Sequence, residues 1–289
     1  MSLSSAKKKR LPFGAASGLG SYGAFAVPLT LIILILYVVP LTTVLANSFT
    51  DPHLGVDNYV RLFTARGPSR VFMTTLRICL LTTIISVALG YIVAYGIVSA
   101  PGKWQGVLFA AVIIPFWVSV LIRAFSWLIL LQNNGLVNDS LAGLGLIDKP
   151  LQLVRNEPGV IVGMVHYLIP YAVLPLYSAM RQTDMRVIAA AKSLGASDTR
   201  IFFSVFLPMT VSGVFAASVI VFVFSLGFFI TPALLGGGRV VMLSEYISVN
   251  VLQTLRWGFA SAQAAVLLVM TLVAIGILSK VTGLKKGLG

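Results

Sequence analysis

Long uncharged stretches alternate with short polar segments along this chain of 289 residues. Six stretches lack Asp, Glu, Lys and Arg: 11–50, 78–102, 104–122, 158–180, 201–238 and 257–279. Each can hold the roughly 20 apolar residues with which a helix crosses a hydrocarbon core of about 30 Å. The pattern predicts six spans, at 24–46, 74–98, 107–131, 159–180, 208–232 and 258–280. Membrane-spanning β-strands need only about ten residues each, so we predict an all-α integral membrane protein.

The composition agrees with this fold class. Hydrophobic residues make up 58% of the chain and charged residues only 10%, whereas soluble domains are about a quarter charged. The net charge of +13 is explained by cations near the membrane, and no aromatic-basic groove predicts a nucleic-acid partner. Cys79 is the single cysteine, so no internal disulfide or cysteine metal site is expected.

The distribution of cations predicts the orientation. With the N-terminus inside, the cytoplasmic segments hold twelve Lys and Arg against two Asp, while cations and acids nearly balance in the outer loops. The positive-inside rule then places both termini in the cytoplasm. We predict a cytoplasmic tail over 1–23, one six-helix domain over 24–283 and a second tail over 284–289.

A polar insert of about twenty residues separates the fourth and fifth predicted spans. Thr183 or Asp184 can cap a helix that contains three consecutive alanines, and Gly195 permits the left-handed turn that ends it. A second helix is predicted from about Ser197, leading to Pro208 and span five. Residues 184–204 are therefore predicted to form a hairpin at the membrane surface. It is either a docking element for a soluble protein or a simple interfacial hairpin.

The hairpin resembles a motif of known transport proteins. In the membrane subunits of binding-protein-dependent ABC importers, Glu-Ala-Ala, three residues, Gly, nine residues and Ile-x-Leu-Pro precede the penultimate span. Here Ala189-Ala190-Ala191, Gly195 and Val205-Phe206-Leu207-Pro208 keep that spacing, with alanine in place of the glutamate. The chain is most similar to the spermidine/putrescine-type permeases, over stretches 57–59, 89–91, 114–123, 134–138, 169–177 and 227–237.

The resemblance implies a fold, partners and a coupling site. The fold would be that of type I ABC importer permeases, in the inner membrane of a bacterium. The chain would work with a second permease subunit, two cytoplasmic ATPase subunits and a periplasmic solute-binding protein. The chain lacks a P-loop, so it is expected to bind no cofactor, with ATP and Mg used by the ATPase. The residues expected to contact that ATPase are Asp184, Ala189, Ala190, Ala191, Lys192, Leu194, Gly195 and Ala196.

Charged and aromatic residues in and near the spans are candidates for the solute pathway. They are Trp117, Arg123, Trp127, Tyr171, Phe228 and Glu245. A cation within a span costs at least about 2.5 kcal/mol on insertion scales, so Arg123 should face protein or water. Trp117 and Trp127 are nearly three turns apart and are expected on similar faces. Structural alternatives remain: a snorkelling Arg123, an interfacial Trp127 and a solvated or ion-paired Glu245.

Two other classes of protein compete with the permease hypothesis. An ion-driven secondary carrier would show carboxylates or interrupted repeats within its spans, and an intramembrane enzyme would need a catalytic set. The predicted spans contain no Asp or Glu, and His166 has no carboxylate partner three or four residues away. The solute is predicted to be a polyamine, an opine or a related amino-acid-like compound. Arg123 would repel a polyamine, which favours zwitterionic or anionic solutes.

Overall fold

The structure, a computed structural model, describes residues 18–281, without the side chains of 18–26, 29, 278, 279 and 281. Residues 1–17 of the predicted N-terminal tail, the whole predicted C-terminal tail 284–289 and the last two residues of the predicted domain, 282–283, lie outside the described residues. Fourteen α-helices, α1 to α14, occur within 18–281: Gly18–Thr50, Asp57–Thr64, Arg66–Ser99, Gly102–Ile113, Val120–Leu130, Leu136–Gly143, Glu157–Arg181, Met185–Ser193, Asp198–Ile201, Leu207–Met209, Val211–Leu226, Ile230–Gly236, Leu243–Leu252 and Trp257–Val281.

Four helices are long and apolar enough to cross a membrane. They lie in α1 (Thr30–Thr50), α3, α7 and α14 (Trp257–Ile277), and two bent helix pairs bring the number to six if each pair forms one span. The all-helical prediction is therefore confirmed for the described residues. The first span extends beyond the predicted 24–46, and α1 begins inside the predicted tail 1–23.

The third predicted span, 107–131, is wrong as a single straight helix. The helical segment Gly102–Trp117 and helix α5 meet at 95°. Ile114–Trp117 forms a 3₁₀ turn, and Val118 is extended. Pro115 cannot donate a backbone hydrogen bond to a continuing α-helix, which provides a physical reason for the break. The uncharged, largely apolar composition of 104–122 does not reveal this break.

The fifth predicted span, 208–232, is also corrected. Its long helix, α11, covers only Val211–Leu226, and the preceding helical segment Asp198–Met209 meets it at 61°. Pro208 therefore lies before the bend rather than at the start of the span. Beyond α11, Pro232 belongs to the separate short helix α12. In contrast, Pro170 and Pro175 lie inside α7 without ending it.

Helix α7 lies at the centre of the packing. Buried residues Leu168, Ala172, Val173 and Leu176 form a core with parts of α3 and α11. Small residues permit close approach on both sides. A Cβ atom placed on Gly90 of α3 would lie 2.8 Å from the Ala172 Cβ, and one on Gly213 of α11 would lie 2.5 Å from the Ala179 Cβ. These contacts hold α3, α7 and α11 tightly together.

The outer segment between α1 and α3 contains the short helix α2. It begins at Asp57, and its N-cap residue Val56 makes no side-chain cap. The Asp57 carboxylate pairs with His53 at 2.9 Å. Nearby, Asp51 Oδ2 accepts a hydrogen bond from the Gly258 backbone N–H at 2.5 Å, which links the end of α1 to α14.

Candidate functional site

The predicted surface hairpin has well-defined ends in its first helix, α8. Asp184 is the N-cap, and its carboxylate accepts a hydrogen bond from the Arg186 N–H at 2.9 Å. At the other end Gly195 adopts φ +78°. Its N–H donates to Lys192 O at 3.0 Å, and the Ala196 N–H donates to Ala191 O at 3.1 Å. This pair of bonds is a Schellman motif, in which a left-handed residue, usually glycine, closes the helix.

The second arm begins with Ser197, whose hydroxyl accepts a 3.4 Å hydrogen bond from the Arg200 N–H. Lys192 and Asp198 join the two arms through an exposed ion pair of 2.9 Å. The arm continues past α9 through a π-helical turn, Phe202–Phe206, to Met209. The hairpin helices therefore extend beyond the predicted limit of 204.

The second arm is anchored to α3, whereas most of the first arm is exposed. Phe206 is buried, and Phe202 and Phe206 each lie 5.4 Å, between ring centroids, from Tyr95. Helix α8 contains no buried residue, although its partly buried Ile188 packs against the core. Leu194, at its end, is 87% exposed. Most of α8 and its terminal leucine are therefore accessible to another protein.

A cluster of aromatic rings lies around Tyr167 on α7. The Tyr167 ring centroid is 5.9 Å from that of Tyr171 and 4.7 Å from that of Phe228. Tyr171 in turn lies 4.6 Å from Phe116 and 4.5 Å from Phe224. The cluster therefore joins the broken third span, α7 and the region after α11. Tyr171 and Phe228, two of the predicted pathway residues, belong to it.

Arg123 contacts this cluster directly. Its guanidinium carbon lies 4.2 Å from the centroid of the Tyr167 ring, a cation–π distance. Its Nε atom is buried and has no hydrogen-bond partner among the described residues. The expectation that Arg123 faces protein rather than lipid is met by this contact. The unpaired Nε–H is a donor available to an additional group.

The two tryptophans do not form a common wall. Trp127 packs against His166 with a centroid distance of 5.5 Å, whereas Trp117 is 90% exposed. They are separated by the 95° bend, so the expected similar faces of one helix do not exist. Trp117 has no ring contact within the part of the chain that the structure describes, whereas the Trp127 ring contacts His166, the chain neighbour of Tyr167.

Glu245 lies in the first turn of α13, between the fifth and sixth predicted spans. Its neighbour Ser244 donates a 2.6 Å hydrogen bond to Phe228 O, which connects the start of α13 to a residue of the aromatic cluster. Burial raises the pKa of Glu245, and a backbone hydrogen bond at Met242 partly opposes this shift. One carboxylate oxygen, Oε2, is buried and unpaired within the described part of the chain.

Two features were missed by sequence reasoning. Tyr167, at the centre of the cluster, lies four residues from Tyr171, a spacing that places both on one face of α7 and could have indicated it. Arg77 of α3 lies within a predicted span but was not considered. It pairs with Glu157, with 2.6 Å between Arg77 Nε and Glu157 Oε1. These residues are 80 positions apart, and no local pattern connects them.

Together, the long apolar helices and the exposed hairpin between them define a multi-pass membrane protein. Residues 86–281 match the family described as binding-protein-dependent transport system inner membrane component. The chain is 32% identical to the spermidine/putrescine transport system permease protein PotB of Haemophilus influenzae over 243 residues, 84% of each protein. The Escherichia coli PotB protein is 32% identical over 223 residues, 77% of this chain and 81% of that protein.

Solved structures show the same fold. A bacterial ABC transporter that imports the acidic polysaccharide alginate matches with a TM-score of 0.73 at 21% identity, covering 91% of this chain and 96% of that one. A bacterial alginate ABC transporter in complex with an alginate pentasaccharide-bound periplasmic protein matches with a TM-score of 0.74 at 21% identity, again covering 91% of this chain and 96% of that one. The chain belongs to the binding-protein-dependent permease family and has the type I ABC importer permease fold. It is a multi-pass inner-membrane permease subunit of an ABC importer, not an enzyme.

Proposed function

We propose that this chain forms one half of a solute pathway and pairs with a second permease subunit. Two ATPase subunits would bind the cytoplasmic side, and a periplasmic binding protein would deliver the solute outside, with both termini of the chain in the cytoplasm. This chain would bind no cofactor itself, and ATP and Mg would act in the ATPase. ATP-driven closure would then move the hairpins and change which side of the membrane the pathway faces.

The exposed first arm of the hairpin is the observation that supports coupling. This nine-residue helix has both ends fixed by hydrogen bonds and packs on its own chain through the partly buried Ile188, while its other face stays exposed. Its small Ala189 and Ala190 permit close approach of a partner surface, and Leu194 can enter an apolar pocket there. Asp184, Ala191, Lys192, Gly195 and Ala196 would fix the shape of the arm rather than provide its main contacts.

Replacing Gly195 by valine tests this role. At φ +78° a β-branched residue is strained, so the turn should change shape, while open space around the site leaves the rest of the fold undisturbed. We expect normal membrane insertion and a large loss of solute uptake per ATP hydrolysed by the reconstituted complex. The matched control is Gly106→Val, where φ is not left-handed and the surroundings are also open. Normal uptake by Gly195→Val would refute the coupling role.

The aromatic cluster supports a solute that carries amino groups. Aromatic faces attract ammonium ions, and the unpaired Glu245 oxygen could accept a hydrogen bond from one. The relatives named for spermidine and putrescine transport agree with a polyamine. However, Arg123 already occupies the Tyr167 face and leaves an unpaired donor. This favours a solute with a carboxylate as well as an amine, such as an opine or another amino-acid derivative.

The effect of Arg123→Gln on a panel of solutes distinguishes these classes. The panel should contain spermidine, putrescine, an opine and a dicarboxylate, and solute-stimulated ATP turnover of the complex should be measured with the binding protein present. If the solute carries a carboxylate, the variant should lose about 1.5–3 kcal/mol of binding, as for other hydrogen bonds to charged groups. Turnover that is stimulated by spermidine and rises in the variant would instead identify a polyamine pathway.

A further inference from the structure

A groove of about 930 Å³ lies beside the end of α3 that is far from Ser99. Three arginines and a single carboxylate line it: Arg70, Arg77, Arg239 and Glu157. Its remaining lining is largely apolar and includes Met73, Leu80 and Val240. None of these residues belongs to the hairpin or the aromatic cluster.

The charges in this groove are not balanced. Glu157 pairs with Arg77, and the Glu157 side chain is 21% exposed while that of Arg77 is 64% exposed. The carboxylate therefore lies behind the arginine and orients it toward the groove. Within 18–281, neither Arg70 nor Arg239 forms an ion pair. A net positive charge thus faces the groove, and a negatively charged group complements it.

The apolar residues form a stripe that continues from the arginines along α3. Arg70, Met73, Arg77, Leu80 and Ile84 follow one another at alternating steps of three and four residues, which places them on one face of the helix. Met73 is 65% exposed, Leu80 50% and Ile84 64%. A ligand that fits this face has an anionic group at one end and an apolar portion at the other.

The depth of the stripe identifies such a ligand. At about 1.5 Å per residue from Ser99, Arg77 lies about 33 Å and Arg70 about 44 Å along α3. With Ser99 at the opposite edge of a bilayer that has a hydrocarbon core of about 30 Å and a total thickness of about 40–45 Å, Arg77 lies near the edge of the core and Arg70 at the outer limit of the headgroups. Leu80 and Ile84 then lie among acyl chains, where a soluble binding protein does not reach.

We propose that this groove binds an anionic phospholipid, with its phosphate between Arg70, Arg77 and Arg239 and its chains along Leu80 and Ile84. The proposal requires only that α3 crosses the bilayer, and it holds whichever solute is transported. A Lys or Arg near an anionic leaflet contributes about 1 kcal/mol, a value known for the cytoplasmic leaflet, and we expect a similar contribution in the outer leaflet that this groove faces. Removing two of them should weaken binding about thirtyfold, since about 1.4 kcal/mol corresponds to a factor of ten.

Native mass spectrometry of the complete transporter, released from nanodiscs, tests this site. The nanodiscs should contain either phosphatidylglycerol or phosphatidylcholine. The wild-type complex should retain phosphatidylglycerol and release phosphatidylcholine, and Arg70→Gln/Arg239→Gln should lose retention. Arg256→Gln, which removes a cation outside the groove, is the matched control and should bind as the wild type does. Arg70→Lys/Arg239→Lys keeps the charge and should restore most of the binding.

Several outcomes would overturn the proposal. Equal retention of the two lipids would show that the charge does not select the ligand, and unchanged retention by the glutamine variant would show that the arginines do not bind it. No retained lipid in the wild-type complex would indicate that a second permease or another subunit covers this face. Displacement by inorganic phosphate would identify an anion site that makes no use of the apolar stripe.

Discussion

The contact between α3 and α7 at Gly90 permits a quantitative test of the packing. A methyl group added there would lie 2.8 Å from the Ala172 Cβ and 3.5 Å from backbone atoms of Ala172 and Val173. Ala172 is itself fully buried, so neither helix can yield without separating from the other. Gly96 lies on the same helix, and a methyl group there would meet nothing within 4 Å.

The two glycines therefore provide a matched pair of variants. Gly90→Ala and Gly96→Ala both gain the same helix propensity, about 1 kcal/mol in a soluble helix, so that contribution cancels in their difference. What remains is the overpacking at Gly90, which typically costs about 1–3 kcal/mol. Gly90→Ala should consequently be less stable than Gly96→Ala by about that amount.

Cys79 provides the assay, because it is the single cysteine of the chain, lies on α3 and is fully buried. A maleimide dye can react with it only after α3 separates from its neighbours. When opening and closing are faster than the chemical reaction, the labelling rate follows the open population. Gly90→Ala should then label roughly five- to 150-fold faster than Gly96→Ala. Equal labelling rates would refute the proposed tightness of this helix contact.

Two further predictions concern the candidate sites. Because burial raises the pKa of Glu245 above its ordinary 4.5, its contribution to stability is fully present below that pH and is lost as the pH rises through the raised pKa. In thermal melts followed by tryptophan fluorescence, Glu245→Gln should therefore match the wild type near pH 4.5 and be more stable than the wild type at pH 7. A difference in melting temperature that stays the same across this range would contradict the raised pKa of Glu245. Ala189→Glu should fold and insert normally, because Ala189 is exposed, and co-purification with the ATPase should persist if the ATPase offers a cation. Loss of co-purification in a folded Ala189→Glu protein would show that the contact surface of the ATPase accommodates only a small residue at this position.

Local features of the hairpin could be predicted from the sequence because neighbouring residues determine them. Asp184 accepts a hydrogen bond from a residue two positions ahead, and Gly195 forms its turn with residues of the same helix. In both cases the chemistry of one residue type selects the backbone conformation. The role of the hairpin in coupling is not determined by these local bonds.

The breaks and the contacts between helices were less predictable. Apolar composition predicts which segments enter the membrane, but it does not distinguish a straight span from one with the 95° bend near Pro115. The Arg77–Glu157 pair and the approach of Arg123 to Tyr167 join different helices. Such contacts depend on how the helices rotate and cross, and these properties have no signature in a single apolar stretch.

Helix α7 provides a physical connection between the two candidate sites. It carries Tyr167 and Tyr171 in the aromatic cluster, and it ends at Arg181, three residues before the cap of the hairpin. Close contacts at Gly90 and Gly213 hold α3 and α11 against it. We infer that a displaced hairpin would move these three helices and the tyrosines as one body. Backbone angles can then change at the bends before α5 and α11. Coupling between the hairpin and the aromatic cluster would therefore need no separate chain of moving side chains.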